Sequence, residues 1–416
     1  MTVPDLSPLR ARFPALTRQI DGRPCAFLDA PGGSQVPDVV IEAMASYLRT
    51  SNANSHGAFV TSEETDAIVD QAHRAAADLV GSEPDQAVFG PNATTLLFAV
   101  SRSIGRTLGP GDEVVVTRLD HDANVRPWVM AAEDAGATVR WVDLDEEHVT
   151  LDLGSFDAAV GARTKVVAFT LASNAVGTVT PAAELVRRVR ERSDALVVCD
   201  AVHYAQHRLI DVGELGCDLL ACSPYKIFGP HLGILFGRRD LLSELRPYKV
   251  RPAEEHLPFR WETGTQNHEG LAGFGAAVDY LAGIGRTYGS PAREGRRPAL
   301  EAAFQAIGSH ESELARRFLD GVRSVPRLRL YGIADPARLA ERTPTFAVRL
   351  EGQHPADTAK ALGEQGIFTW DGNYYALELM ERLGLEEDGG ALRIGFCHYN
   401  TTEEVDRVLQ ALSLLA

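Results

Sequence analysis

Apolar residues follow two spacings along this chain. Between positions 87 and 236, short runs rich in Val, Leu, Ile and Phe recur: Ala87–Phe89, Glu113–Thr117, Thr138–Val142, Lys165–Thr170, Ala195–Asp200, Leu219–Cys222 and Gly233–Phe236. They lack strict alternation, as strands buried on both faces do, and a largely parallel sheet demands such strands. Between them lie segments such as Pro181–Arg192 (PAAELVRRVRER), with helical periodicity and basic residues in the last turn. This alternation predicts an α/β domain with helices on both faces of its sheet.

The stretch Arg286–Arg297 (RTYGSPAREGRR) breaks the pattern. Its glycine, proline and charge predict a domain hinge. Beyond it, helical patterns accompany three candidate strands, Thr345–Leu350, Ile367–Trp370 and Leu392–Phe396. They suggest a small α+β domain, against which the N-terminal residues are expected to pack. The division is a large domain at 20–285 and a small one at 1–19 and 286–416. No repeat or low-complexity tract interrupts it.

Composition narrows the class without changing the fold. Hydrophobic residues make up 45% of the 416 and charged residues 24%, a globular composition. The formal net charge of −16 opposes non-specific binding to nucleic acid or an anionic membrane. No apolar run approaches the roughly 18 residues of a membrane span, and the N-terminus lacks the apolar core of a secretory signal. A cytoplasmic protein is expected. The five cysteines, Cys25, Cys199, Cys217, Cys222 and Cys397, are odd in number and form no C-x-x-C pair. A disulfide framework and a structural zinc site are therefore not expected.

Four segments at strand ends carry candidate chemistry. Ser223-Pro224-Tyr225-Lys226-Ile227-Phe228-Gly229-Pro230-His231 lies between two buried-type strands. Desolvation there would lower the pKa of Lys226 and make its amine nucleophilic, whereas a lysine that snorkels to water is the blander reading. Val197-Val198-Cys199-Asp200 ends an apolar run with an acid, placed to pair with a protonated pyridine nitrogen or simply to cap a helix. Gly90-Pro91-Asn92-Ala93-Thr94-Thr95 joins a strand to a helix, a phosphate-binding arrangement that any N-cap also resembles. Asp120-His121-Asp122-Ala123-Asn124 puts a histidine at a strand exit, where it can stack on a flat ligand or belong to an ordinary polar loop.

Four such signals in one order carry more than any one of them. Together, and over nearly the whole length from Phe27-Leu28-Asp29-Ala30-Pro31-Gly32-Gly33 to Tyr399-Asn400-Thr401-Thr402, the chain resembles the class V aminotransferase family, in its cysteine desulfurase-like branch. The resemblance implies the α/β architecture of a fold-type I pyridoxal phosphate (PLP)-dependent transferase: a large domain with a mainly parallel mixed sheet between helices, plus a small α+β domain. It implies pyridoxal 5'-phosphate as cofactor, no metal, an amino-acid substrate, and a homodimer with shared active sites. Lys226 matches the Schiff-base lysine, Asp200 the acid on the pyridine nitrogen, and His121 the ring-stacking histidine that also helps move protons. Ala93, Thr94 and Ser223 match phosphate-binding positions. Thr265, in Glu262-Thr263-Gly264-Thr265-Gln266-Asn267, matches a threonine that reaches the neighbouring subunit's phosphate. His203 stands where a glutamine usually lies near the cofactor's phenolic oxygen, and imidazole can donate there too. Asn174 and Arg393 match residues at the substrate carboxylate, which a planar guanidinium meets bidentately.

Two departures matter. Tyr225 replaces the histidine that usually precedes the lysine. The region Gly366–Ala376, GIFTWDGNYYA, contains no cysteine where desulfurases carry their sulfur-accepting nucleophile. Cys397 and Cys199 are read as inert packing. Trp370, Asp371 and Tyr374 occupy the region expected to touch the substrate side chain. Asp371 is either an acid, a polar anchor or a turn residue before Gly372. The leading expectation is PLP-dependent cleavage of the carbon–sulfur bond of cysteine or a cysteine conjugate, without a persulfide cysteine. An epimerase or aminotransferase is the first alternative, and a non-catalytic scaffold of the same fold the second.

Overall fold

The computed structural model describes residues 3–416. The apolar runs of the first two-thirds become β1 (Ala87–Gly90), β2 (Glu113–Thr117), β3 (Thr138–Val142), β4 (Thr164–Thr170), β5 (Leu196–Asp200), β6 (Leu219–Cys222) and β7 (Gly233–Gly237). They form one sheet in the order β1-β7-β6-β5-β4-β2-β3. β7 runs antiparallel to both neighbours, and the remaining pairings are parallel. The sheet is thus mixed and mainly parallel.

Adjacent residues of these strands enter different cores, as the period of two dictates. Val115, Val167, Val197, Cys199 and Leu220 pack on one face with α1 (Val60–Val80), α4 (Ala182–Arg192) and α5 (His268–Tyr288). Val114, Val116, Val166, Val198 and Leu219 pack on the other with α2 (Ala93–Gly105) and α3 (Arg126–Ala135), where Trp128 is fully buried. Both faces are dry, which is why the strand sequences show continuous apolar runs.

Four further strands, β8 (Leu328–Tyr331), β9 (Thr345–Leu350), β10 (Trp370–Gly372) and β11 (Ala391–Gly395), form an antiparallel sheet in the order β8-β9-β11-β10. Phe318, Phe346, Ile394, Phe396 and Val408 fill its core. The expected strand Ile367–Trp370 divides. Ile367–Phe368 pairs with Ala26–Phe27, and Trp370 then joins the antiparallel sheet opposite Arg393. A contiguous apolar run carries no record of which edge each residue pairs with, so the change of partner at Thr369 is invisible locally.

The segment expected as a hinge is the turn between α5 and α6 (Arg296–Val322). α6 is 27 residues long. Its first half contributes Leu300, Ala303 and Ile307 to the large core and its second half Leu314 and Phe318 to the small one. One continuous element therefore contributes to both cores. At the other end, Phe13 packs its ring on Phe228, Tyr280 and Tyr399, while Arg10 pairs with Glu404 at 2.9 Å on α7 (Thr402–Leu415). Among the described residues, no helix is long and apolar enough to cross a membrane.

The α5–α6 contact depends on glycine. A Cβ on Gly285 would lie 1.8 Å from the Ala299 carbonyl oxygen, whereas one on Gly283 meets nothing within 4 Å. Gly285→Ala is expected to cost about 1–3 kcal/mol or more through overpacking, and Gly283→Ala to gain up to about 1 kcal/mol from helix propensity. Urea unfolding midpoints compare the two; equal midpoints would mean that α5 and α6 do not pack this closely.

Candidate active site

The parallel strands end at one edge of the large sheet, the position where open α/β sheets bind ligands. Asp200 is the last residue of β5, Ser223 follows β6, and Lys226 closes the short turn Pro224–Lys226. His121 and Asn174 lie in the loops after β2 and β4. Ala93 and Thr94 open α2. These residues, with His203, line one cavity. A second cavity continues outward past His121, Asn174 and Lys226 to Arg393, Trp370 and Asp371. Thr265 is exposed and lines a separate surface cavity with Gly90, Thr95 and His231. Within one chain it stands apart from the others.

Lys226 is 4% exposed. Burial, and then the Arg393 charge, lower its pKa to about 7 against the opposing Asp200 carboxylate. A substantial share of the amine is unprotonated near neutrality. Burial pushes Asp200 up to about 6, against the hydrogen bond from the Val202 N–H and the charge of Lys226. That bond is 2.7 Å to Oδ1. Burial, with Lys226 and Arg393 nearby, holds His121 down to about 3. The Ala123 N–H donates to His121 Nδ1 at 3.0 Å, so the neutral ring carries its proton on Nε2.

The inner cavity fits pyridoxal phosphate by its own unmet chemistry. Asn92 caps α2 through Thr95 N at 2.8 Å and its carbonyl takes the Leu96 N–H, which leaves the Ala93 and Thr94 N–H groups for an anion. The backbone there crosses β7 at Gly233. A Cβ on Gly233 would meet the Asn92 carbonyl carbon at 2.3 Å and Ala93 N at 2.6 Å. His203 Nε2 lies 3.1 and 3.0 Å from the Thr343 and Thr345 hydroxyls, while its buried Nδ1 has no partner. A buried carboxylate, a buried amine, free helix N–H groups and a spare imidazole nitrogen together form a suitable donor set for a pyridine ring bearing phenol, aldehyde and phosphate groups.

At the outer end, Arg393 is buried and its Nη1 donates to the Asn174 carbonyl at 2.9 Å. Arg393 Nε and Asn174 Oδ1 are buried and unpaired, as expected of groups awaiting a ligand. The Trp370 indole covers Gly32, where a Cβ would lie 2.6 Å from Trp370 Nε1 and 3.2 Å from Arg393 Nη2. Asp371 stands on the rim beyond.

Several neighbours of the site left no sequence signal of their own. Burial raises Asp120 to about 8, against hydrogen bonds from Thr117 and Asn124. It anchors the His121 loop from beneath, with Asn124 Nδ2 donating at 2.7 Å. Asp29 is raised to about 6 by burial, against the charge of Arg393. Tyr375 stacks on His121 with ring centroids 5.4 Å apart and planes at 21°. The five cysteines are all buried, and none lines either cavity.

Comparison with known proteins adds the family. Residues 26–290 and 298–408 match the model of the family described as Aminotransferase class-V. A cysteine desulfurase of Pectobacterium carotovorum subsp. carotovorum (strain PC1) is 31% identical over 420 residues, covering 97% of this chain and 96% of the relative. Among solved structures, the apo cysteine desulfurase of Thermococcus onnurineus NA1 superposes with a TM-score of 0.87 at 26% identity, covering 100% of this chain and 98% of that one. The cysteine desulfurase CsdA of Escherichia coli gives 0.84 at 26% identity, covering 100% and 99%.

The Gly233 crossing provides a test of the anion cradle. Gly233→Ala is expected to displace the Asn92–Ala93 backbone and weaken binding of pyridoxal phosphate by at least about tenfold, or about 1.4 kcal/mol. Equilibrium dialysis of the cofactor reads the change; unaltered affinity would separate this backbone from the phosphate.

Proposed function

The chain belongs to the aminotransferase class-V family, and on that premise we propose that it cleaves the carbon–sulfur bond of cysteine or a cysteine conjugate without a persulfide-carrying cysteine. It is a pyridoxal phosphate-dependent enzyme. The observation that carries the reading is the desolvated Lys226 amine facing the Asp200 carboxylate at the ends of neighbouring strands. The relatives reported above are cysteine desulfurases, which supports sulfur chemistry on a cysteine skeleton.

Pyridoxal phosphate, when bound, supplies an electron sink that weakens the bonds at the substrate's α-carbon. Ala93 N, Thr94 N and the Ser223 hydroxyl would hold its phosphate, Asp200 its ring nitrogen, His203 its phenolic oxygen and Lys226 its aldehyde. The His121 ring would cover its face. Thr265, exposed and away from its own cavity, would complete the phosphate site of a second copy, which makes the working unit a homodimer.

Arg393, through its unpaired Nε–H, and Asn174, through the Nδ2 hydrogen not given to the Tyr374 carbonyl, orient the substrate carboxylate. Lys226 Nζ, with its pKa near 7, takes the α-proton as a base near its operating pH. The neutral His121 ring carries its proton on Nε2 and can donate a hydrogen bond from it to the departing sulfur. No thiol stands ready to accept that sulfur. Burial raises Cys222 to about 12 and lifts Cys199 and Cys397 well above the ordinary thiol range, so all three remain protonated and poorly nucleophilic. Sulfur therefore leaves as sulfide from cysteine, or as a thiol from a conjugate. The remaining three-carbon fragment hydrolyses to pyruvate and ammonia, a balance that needs only water.

Two expectations test the reading. Borohydride treatment of the holoprotein should bleach its visible absorption and leave the pyridoxyl group on the peptide containing Lys226; a label on any other lysine removes Lys226 from this role. Incubation with cysteine should yield sulfide and pyruvate in equal amounts, and Cys199→Ser, Cys222→Ser and Cys397→Ser should each keep turnover within about threefold. Racemised cysteine, an oxo acid that retains sulfur, or loss of turnover on one of these replacements would refute the proposal.

A further inference from the structure

The segment between β10 and the short helix Leu377–Arg382 places two consecutive non-glycine residues in the left-handed region, with φ of +56° at Tyr374 and +59° at Tyr375. Such a conformation persists only where surrounding contacts over-determine it. Here they do. Asn373 Oδ1 accepts from Tyr375 N at 3.0 Å, and Asn373 Nδ2 donates to Glu386 at 2.9 Å. The Tyr374 hydroxyl donates to the Ala391 carbonyl. The Tyr374 carbonyl accepts from Asn174 Nδ2 at 2.9 Å, and the Tyr375 carbonyl accepts from the Asp122 N–H at 2.7 Å. The small domain thereby bonds directly to the loops after β2 and β4 that carry His121 and Asn174.

The result is a flat surface beneath the arginine. The Arg393 guanidinium carbon lies 4.3 Å from the centroid of the Tyr374 ring. Besides the Asn174 carbonyl on Nη1, a buried guanidinium can be held by a carboxylate or by an aromatic face. A carboxylate would neutralise Arg393 and compete with any anionic ligand for its N–H fork. A ring face attracts the cation from one side and leaves the edge donors free. Burial pushes the Tyr374 hydroxyl up, so the ring stays neutral and brings no competing charge. The contact with Asn174 couples the same residue to the other group at this end of the cavity.

We propose that Tyr374 is a positioning residue for substrate carboxylate recognition: its ring holds the Arg393 guanidinium, and its carbonyl fixes the Asn174 amide, so that both await the ligand in one geometry. This rests on the assignment of Arg393 and Asn174 to the substrate carboxylate. It adds the residue that keeps them poised, and it assigns to the left-handed backbone the role of turning that ring inward.

The test compares Tyr374→Leu, which removes the ring and hydroxyl, Tyr374→Phe, which keeps the ring, and Tyr374→Gly, which removes the ring while suiting the left-handed backbone. The Gly variant carries the test if the Leu variant does not fold. Holoenzyme binding is measured by calorimetry for 3-(methylthio)propionate, a carboxylate without an amine, and for 2-(methylthio)ethylamine, an amine without a carboxylate. The Leu and Gly variants are expected to bind the carboxylate about tenfold more weakly, or about 1.4 kcal/mol, with amine and cofactor binding unchanged. KM for cysteine rises to match, and kcat stays within about threefold. The Phe variant restores carboxylate binding to within about twofold. Unchanged carboxylate affinity without the ring overturns the proposal, as does a Phe variant no better than Leu or an equal loss for amine and carboxylate. The calorimetric arms need no turnover. Wild-type enzyme that binds the carboxylate but releases no sulfide would refute the carbon–sulfur reading and leave this one standing.

Discussion

The structure depends on one arrangement: an amine and a carboxylate taken out of water together at the ends of neighbouring strands. Lys226 and Asp200 are each almost fully buried, and each is pushed away from its charged form by that burial. Neither stabilises the protein by being there, because desolvation of an ion costs more than a loosely matched partner returns. The two dry faces of the large sheet create that environment. Phe169, Val197 and Leu220 fill one side, and Val166, Val198 and Leu219 the other. The apolar core thus lends its stability to a site that is costly in isolation. The same core, by lowering the lysine pKa, makes the amine reactive.

A second constraint joins the two sheets. The cofactor cavity belongs to the large sheet, whereas Arg393 comes from β11 of the small one. Their registration falls to α6, which threads both cores, and to the contacts of Tyr374 and Tyr375 with the large-domain loops. In the proposed reading, a substrate amino acid would meet an aldehyde held by one sheet and a guanidinium held by the other. Errors of an ångström between the two would waste the orientation on which such catalysis depends. The close packing at Gly285 and the helix-length continuity of α6 therefore serve chemistry as well as stability.

The large sheet was legible because its strands are buried on both faces and announce themselves as unbroken apolar runs; each predicted run lies within a residue of its strand at either end. The placement of the candidate residues at strand ends was legible for the same reason, since a polar residue such as Asp200 closing an apolar run is a local signal. What escaped was non-local or conformational. The run Ile367–Trp370 reads as one strand, yet it serves two sheets. Asp29 and Asp120 look like ordinary loop acids until burial raises their pKa values. The two tyrosines after Gly372-Asn373 gave no hint of positive φ, because β-region backbone is the default for aromatic residues. Only the surrounding hydrogen bonds show that they are held otherwise.

That conformational detail bears on the route of the sulfur. A residue that carries sulfur away must approach the substrate, take the atom and then retreat to hand it on, which requires a segment able to move. Here the segment is bonded at both tyrosine carbonyls to the large domain, anchored through Asn373 to Glu386, and locked by the Tyr374 hydroxyl on Ala391. Two of its side chains are committed, one against Arg393 and one against His121. A cysteine placed at one of these positions would give a thiol without a path, and would remove the ring that steadies the arginine or backs the histidine. Lack of a thiol and fixity of the loop are therefore linked features. On the proposed carbon–sulfur reading, a segment held this way would leave a small diffusible sulfur product to depart rather than pass to a protein carrier.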